Sequence, residues 1–361
     1  TVQNLNAVIT GLSEGTIYHY RLVVNNGLGT FQGLDMTAAA VAQKVAGDLL
    51  VNVNATHGSA GSGSWVNQGT LGGVFTRTGG AYLESNVDER SIPGVAFNGV
   101  DSSYAGPAAP ADISANDSRS IEVWAFNPGF GPLDSIVSLG RDGTRTQAVI
   151  THANPTNSSG AVMHGSAAVD NLPYTTATLP SLGEWHHIVY TYDGAKKATV
   201  YVDGVLKVTK TISGNLATST DPVMLGAALD SAGLPVNRFH GFINSARIHG
   251  GLLSAADVLF NYNLGPTAPV PDAPAAKVAG ASATTPNSAT LNGLVFSNGL
   301  PTTAWFEWTT GTEFNNASAP VSIPAGRTWV PVTLPLPGLA NGVPYAFRVV
   351  ARNSMGESPS T

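Results

Sequence analysis

The chain has 361 residues and a formal net charge of −6; only 11% of its residues are charged, against 41 glycines and 23 prolines. That length implies two or three domains, and the Gly/Pro-rich, charge-poor balance suits many short strands joined by turns better than long helices. The charge excludes a basic nucleic-acid or anionic-membrane surface, no apolar run of about 18 residues spans a bilayer, and the lack of cysteine excludes disulfides, thiolate zinc sites and cysteine nucleophiles.

The chain begins at Thr1 with neither an initiator Met nor a signal peptide, and it reads as a piece of a longer processed polypeptide. An extracellular protein without disulfides points to a bacterial source. Near the N-terminus, "GLSEGTIYHYRLVVNNGLG" starts at Gly11; near the C-terminus, "GLANGVPYAFRVVARNSMG" starts at Gly338. At one constant offset they share Gly15/Gly342, Tyr18/Tyr345, Arg21/Arg348, Val23/Val350, Asn26/Asn353 and Gly29/Gly356, so both ends carry the same kind of unit. The Gly-x-Ser-x-Gly at Gly11–Gly15 matches a nucleophile elbow only by letters, because it sits in a turn before a strand and no helix follows.

Residues 1–37 read as the last strands of a sandwich and 38–47 as a linker. From 48 to 264 strand signals recur: "IEVWAF" (121–126), "IVSLG" (136–140), "HHIVYTY" (186–192) and "ATVYVDG" (198–204). Asp193-Gly194 and Asp203-Gly204 mark turns, the second a tight hairpin. Ser254 with Asp257 three residues on resembles a capping box, which predicts a short helix that plugs one end of the sandwich. Prolines at 266, 269, 271 and 274 make 265–276 a semi-rigid spacer. In 277–361, "SATLNGLV", "TTAWFEWTTG" and "WVPVTLPLPGL" supply strands of a sandwich that lacks its last strand.

The Leu-x-x-Gly-x-x-Tyr-x-aromatic-Arg-apolar-Val pattern of both repeats resembles the turn and sixth strand of fibronectin type III domains. There the Tyr hydroxyl returns to the backbone at the turn. In the middle, "GDLLVNVNA", "GVAFNGVDSSYAGP", "SRSIEVWAFNPG", "GEWHHIVYTYDG" and "FINSARIHGGLLSAADVLFNYN" resemble, in order, the laminin G-like, concanavalin A-like jelly-roll superfamily. The implied fold is all-β: a jelly roll with a short C-terminal helix, flanked by fibronectin type III-like sandwiches of which the first is partial. The resemblance places Trp185 inside and makes the Trp185-His186-His187 stretch scaffold. His186 and His187, as strand neighbours, point to opposite faces and cannot share an ion.

Chemistry is sparse. A retaining glycosidase of jelly-roll type needs a close carboxylate pair, but "ESNVDE" (84–89) has the wrong spacing and the neighbours of Glu122 hold no second acid. The expectation is a protein that is not an enzyme. The resemblance allows calcium through loop oxygens, with Asp101 of "FNGVDSSY" first and Asp117 and Asp142 after it. Many relatives carry an acidic pair where this chain has Asn244-Ser245, which removes charge from such a site. Arg141 and Asp142 are the ligand-binding candidates, although their loop reads Leu139-Gly140-Arg141-Asp142 where closer relatives carry an aromatic; the loop at 152–160 is a further exposed candidate. Two accounts follow. The chain is an extracellular or cell-surface module contacting a glycan or an extracellular protein, or it is a filament or sheath subunit joined to copies of itself by strand complementation.

Overall fold

A computed structural model describes residues 17–26, 29–33, 36–39, 43–131, 133–153, 160–267, 273–326, 329–353 and 355–360. The Gly11–Gly15 motif and most of the 152–160 loop lie outside them. Among the described residues the regular structure is nearly all β, with one α-helix, Ala255–Leu264. The chain divides into two compact units, one of them Lys44–Thr267.

In that unit two sheets enclose the core. The seven-stranded sheet runs Val162–Gly165, Thr144–Thr151, Ser135–Leu139, Pro222–Leu225, Ser103–Ala108, Val74–Thr78, Ser64–Val66. The eight-stranded sheet runs Val205–Thr211, Lys197–Val202, Trp185–Tyr192, Arg119–Phe126, His240–His249, Gly94–Asn98, Tyr82–Glu84, with Leu49–Asn54 paired beside His240–His249. That ten-residue strand divides its register: Ile243 to His240 face Val95 to Asn98, while Ser245 to His249 face Asn54 to Leu49.

Alternation sets the core, because side chains two apart on a strand share a face. Ile121, Val123 and Ala125 point inward with Ile188, Tyr190, Val51 and Val53, and meet Val137, Leu139, Ile150, Val223 and Leu225 of the other sheet. Burying one such aliphatic side chain contributes roughly 1.5–3 kcal/mol. At the hairpin, Asp203 and Gly204 take φ of 54° and 74°. Two successive positive φ values form the type I′ turn that suits the strand twist.

The helix departs from expectation. The capping box is present, with Ser254 Oγ accepting from the Asp257 N–H at 3.2 Å and Asp257 Oδ2 accepting from the Ser254 N–H at 3.1 Å. The helix does not plug an end, however. It lies on the outer face of the eight-stranded sheet, where Val258 packs with Val189, Tyr201 and Leu253. Trp185 is likewise buried, but on this outer face with Trp124 and Ile92, not between the sheets. The reason is that the central strands carry large side chains on both faces, and the outer ones need a cover.

The C-terminal strands form a three-stranded sheet, Ala275–Thr285, Ser288–Phe296 and Trp329–Pro337, and a second sheet centred on Thr302–Thr309 and Ala346–Asn353. Leu291, Val295, Val332, Phe306, Val349 and Ala351 fill the space between them. The Tyr345 hydroxyl accepts from the Ala340 N–H at 3.2 Å, returning to the turn five residues upstream. The last strand is not missing: Gly356–Pro359 pairs with Val350–Asn353. The repeat is structural as well as sequential, since Asn26↔Gly29 and Val23↔Gln32 reproduce the register Asn353↔Gly356 and Val350↔Pro359. The first hairpin continues into Met36–Ala39, two residues into the segment expected to be linker, pairing there with Ile17–Tyr20.

Removing the cap is expected to cost about 1 kcal/mol. Ser254→Ala should lower the urea midpoint without changing the slope of the transition, whereas Ser254→Asn should retain it.

Candidate ligand-binding site

Strand Ser135–Leu139 ends in Gly140, at φ 73°, where a Cβ would lie 2.1 Å from the Thr146 carbonyl oxygen. Only glycine allows that turn, and it throws Arg141 and Asp142 out at the loop. Arg141 Nε donates to both oxygens of Asp221 at 2.9 Å, and Nη2 donates to Oδ1 as well. Ser219 Oγ adds a bond to Asp221 at 2.5 Å. The Arg141 hydrogen bond, followed by that of Ser219, holds the Asp221 carboxyl below the usual carboxylate range although partial burial opposes it. Asp142 accepts from Ser166 Oγ at 2.9 Å through Oδ1. The Arg141 side chain is 46% exposed while Asp221 is 8% exposed. The pair is thus a rigid base with its guanidinium turned to solvent. Beside it Arg145 Nε donates to Asp170 at 2.5 Å, and Asp170 also accepts from the Ser213 N–H and hydroxyl.

The metal candidates lie in separate loops. Asp101 Oδ1 accepts from Asn98 Nδ2 at 2.7 Å and from the Gly80 N–H at 3.5 Å. Those bonds, the Asn98 one foremost, lower its pKa. Arg238 donates to the Asp101 carbonyl at 2.8 Å. Asp117 is exposed in a turn closed by its N–H on Ser114. Asp101, Asp117 and Asp142 share no partner, and no group of three or more His, Asp or Glu gathers as a metal site among the described residues. Asp101 with its loop carbonyls can offer a hard-oxygen position, but the three acids do not form one site; a calcium ion ordinarily takes six to eight oxygens.

The histidines separate as strand geometry requires. His186 Nδ1 meets Asp203 at 2.7 Å and Nε2 meets Ser181. Asp203 is therefore more than a turn residue, since it also accepts from the His187 N–H. His187 points the other way into a buried cluster. There Glu122, with no exposed surface, accepts from Arg247 Nη1 at 2.9 Å and from Asn261 Nδ2 at 3.0 Å. His187 Nε2 lies 3.2 Å and His249 Nε2 3.4 Å from its oxygens. Burial pushes the Glu122 pKa up; the bonds from His187 and His249 and the charge of Arg247 more than reverse this and hold it well below the usual range. Nothing in the strand pattern read as a cluster, yet the signal existed: Glu122 and Arg247 are charges placed inside apolar runs at directly paired positions.

Comparison with known proteins then defines the fold class. Residues 98–259 match the model of the concanavalin A-like lectin/glucanases superfamily, so this nearly all-β chain contains a concanavalin A-like domain. Comparison with curated proteins gives no match. Among solved structures, the chain is similar to domain 4 of an extracellular arabinanase from Geobacillus stearothermophilus in complex with arabinotriose, at 17% identity and a TM-score of 0.43, covering 61% of this chain and 100% of that one. It is similar to a Trypanosoma rangeli sialidase mutant displaying trans-sialidase activity, at 16% identity and 0.43, covering 60% of this chain and 33% of that one. It is also similar to botulinum neurotoxin type C, which needs two ganglioside molecules to get into cells, at 12% identity and 0.42, covering 86% of both chains.

Two outcomes follow. Glu122→Ala strands Arg247 without its counter-charge and is expected to destabilise by roughly 3–5 kcal/mol, read as loss of the cooperative denaturation transition or a large drop in its midpoint. Burial lowers His152 and His164 from 6.5 to about 4. In that window the unfolded chain binds protons that the folded one refuses, so stability should fall as pH drops from about 6.5 to 4. Urea midpoints measured across that range check this, and His164→Gln should flatten the slope.

Proposed function

We propose that this chain is a non-catalytic, carbohydrate-contacting module of an extracellular or cell-surface protein. The 139–142 loop is one contact point, and the flanking fibronectin type III-like sandwiches serve as spacers. The observation that carries this reading is the Arg141–Asp221 base. It is a solvent-facing guanidinium held in place by a bidentate carboxylate, beside Asp142 and Ser166, on a concanavalin A-like domain. Such an arrangement presents a fixed donor and acceptor to a polyol. Three buried carboxylates support a non-catalytic role, because each is paired with an arginine that keeps it ionised: Glu122 with Arg247, Asp170 with Arg145, Asp221 with Arg141. Asp134, the fourth, has no cationic partner but is engaged by the N–H groups of Gly131 and His240 and by Asn127.

The test is retention of the whole protein on a glycan array. Arg141→Ala and Asp142→Ala are expected to weaken retention several-fold. The same retention is expected in calcium and in EDTA, because the loop is shaped by protein hydrogen bonds. Retention lost only in EDTA would move the contact to an ion at Asp101, and release of reducing sugar from a bound glycan would overturn the non-catalytic reading.

One observation favours a second reading, assembly of copies through the N-terminal hairpin. Val350 and Ala351 of the C-terminal repeat are 1% and 0% exposed, while their counterparts Val23 and Val24 in the same hairpin of the first repeat are 52% and 48% exposed, with Phe31 at 78%. Light scattering distinguishes the two: a species of about the 37.0 kDa chain mass supports the module, and long assemblies that dissociate on Val24→Lys or Phe31→Lys support the polymer.

A further inference from the structure

The aromatic missing from the 139–142 loop has a counterpart elsewhere on the same domain. Tyr82, on the edge strand Tyr82–Glu84, stands opposite Ala96, and Ala96 stands opposite Phe242. In the next row of the same face Asn98 stands opposite His240. Phe97 and Gly241, offset by one residue, turn to the core, where Phe97 packs on Tyr104 and Phe239. Ala96 is small, and at Gly80, which also lines this space, even an added Cβ would meet nothing nearer than Asn98 Nδ2 at 3.7 Å. The floor is therefore low between the larger side chains, and a cleft of about 190 Å³ opens there.

Its walls carry the chemistry of sugar recognition. Tyr82 is 55% exposed, its ring open to solvent on the edge strand. Phe242, half-buried, is anchored edge-on by Phe126 at 5.9 Å. Asn98 and His240 are exposed at the rim. Asn98 is immobilised, because its Oδ1 accepts from the N–H groups of Val100, Asp101 and Ser102. Its Nδ2 gives one hydrogen to Asp101 and keeps a second. The ring nitrogens of His240 take no hydrogen bond among the described residues, although the Asp134 carboxylate is a charged neighbour of that ring. No Lys or Arg lines the cleft.

We propose that this cleft is a second carbohydrate subsite, taking one neutral pyranose whose C–H face stacks on Tyr82 while its hydroxyls bond to His240 and Asn98. It rests on the glycan reading above and adds a site to it. The absence of a lining cation selects neutral over anionic sugars, and the position of Tyr82 on the edge strand leaves the flanking sugars of a longer chain free in solvent.

Saturation-transfer NMR of the full chain tests it, with methyl β-glucopyranoside, methyl β-galactopyranoside and methyl α-mannopyranoside as neutral probes and sialyllactose as the anionic one. At least one neutral probe is expected to bind weakly. Tyr82→Ala should weaken it roughly five- to tenfold, and His240→Ala should weaken it several-fold. Tyr82→Phe, which keeps the stacking ring, should retain it, and Val205→Thr, exposed on the opposite edge strand of the same sheet, should leave it unchanged. Unchanged melting temperatures would show that the exposed substitutions leave the fold intact, and His240→Ala carries the test if the Tyr82 edge unravels. Binding that survives Tyr82→Ala and His240→Ala but is lost in Arg141→Ala overturns this subsite and keeps the glycan reading. Preference for sialyllactose overturns the neutral assignment. Silence from every probe with the unaltered chain overturns both.

Discussion

A carboxylate with no accessible surface sits in the middle of the outer face of the eight-stranded sheet, and the arrangement around it follows from the need to neutralise it. Glu122 is on a strand paired on both sides, so water cannot reach it. An isolated buried charge costs several kcal/mol, which the fold offsets by aligning Arg247 directly across the ladder and bringing His187 and His249 within 3.4 Å. Asn261 then links the carboxylate to the backbone of Lys44, bonding to both its N–H and its carbonyl. The helix is thereby placed over the sheet by polar contacts, and the rings of Trp124, His187 and Tyr262, each in stacked contact with the other two, fill the adjoining row. The central strands, buried on both faces, are the rigid base from which the loops and the edge strand project.

Much of this architecture is legible in the residues. The β-branched runs, the Asp203-Gly204 hairpin and the Ser254/Asp257 cap act over a few positions, so local pattern reveals them. The repeat at both termini is legible for a related reason, since a shared register imposes shared Tyr, Asn and Gly positions. What local pattern does not show is which face of a doubly buried strand looks inward. Trp185 and the helix were expected at the core and at one end because an apolar residue reads the same whether a second sheet or a helix covers it. The Glu122 cluster was hidden in the same way, its members lying far apart in the chain. For the candidate residues, Arg141 is identifiable as a loop cation, but its partner Asp221 is 80 residues away and only the folded loops bring them together.

The polar surface is organised by contrast with that interior. Ionic groups at the loop end are paired and partly open to solvent, whereas those beneath the helix are paired and sealed. Tyr82 lies at the outermost strand, where one neighbour is missing and a ring stays accessible. Exposed polar and aromatic groups thus gather at the rims of the sandwich, and the middle supplies stiffness.

The long strand His240–His249 carries a further consequence for how the chain becomes native. One half of it is bound by Gly94–Asn98 and the other by Leu49–Asn54. Their shared neighbour is therefore made long after both, His249 lying 200 positions after its partner Leu49 and Ile243 148 after its partner Val95. Leu49–Asn54 is buried along its whole length in the finished fold, so during synthesis it is an unpaired apolar strand that needs shielding. Pairings this remote in sequence make closure slow, and the last-made part of the domain, the strand with its capped helix, acts as the clasp that ends the exposure.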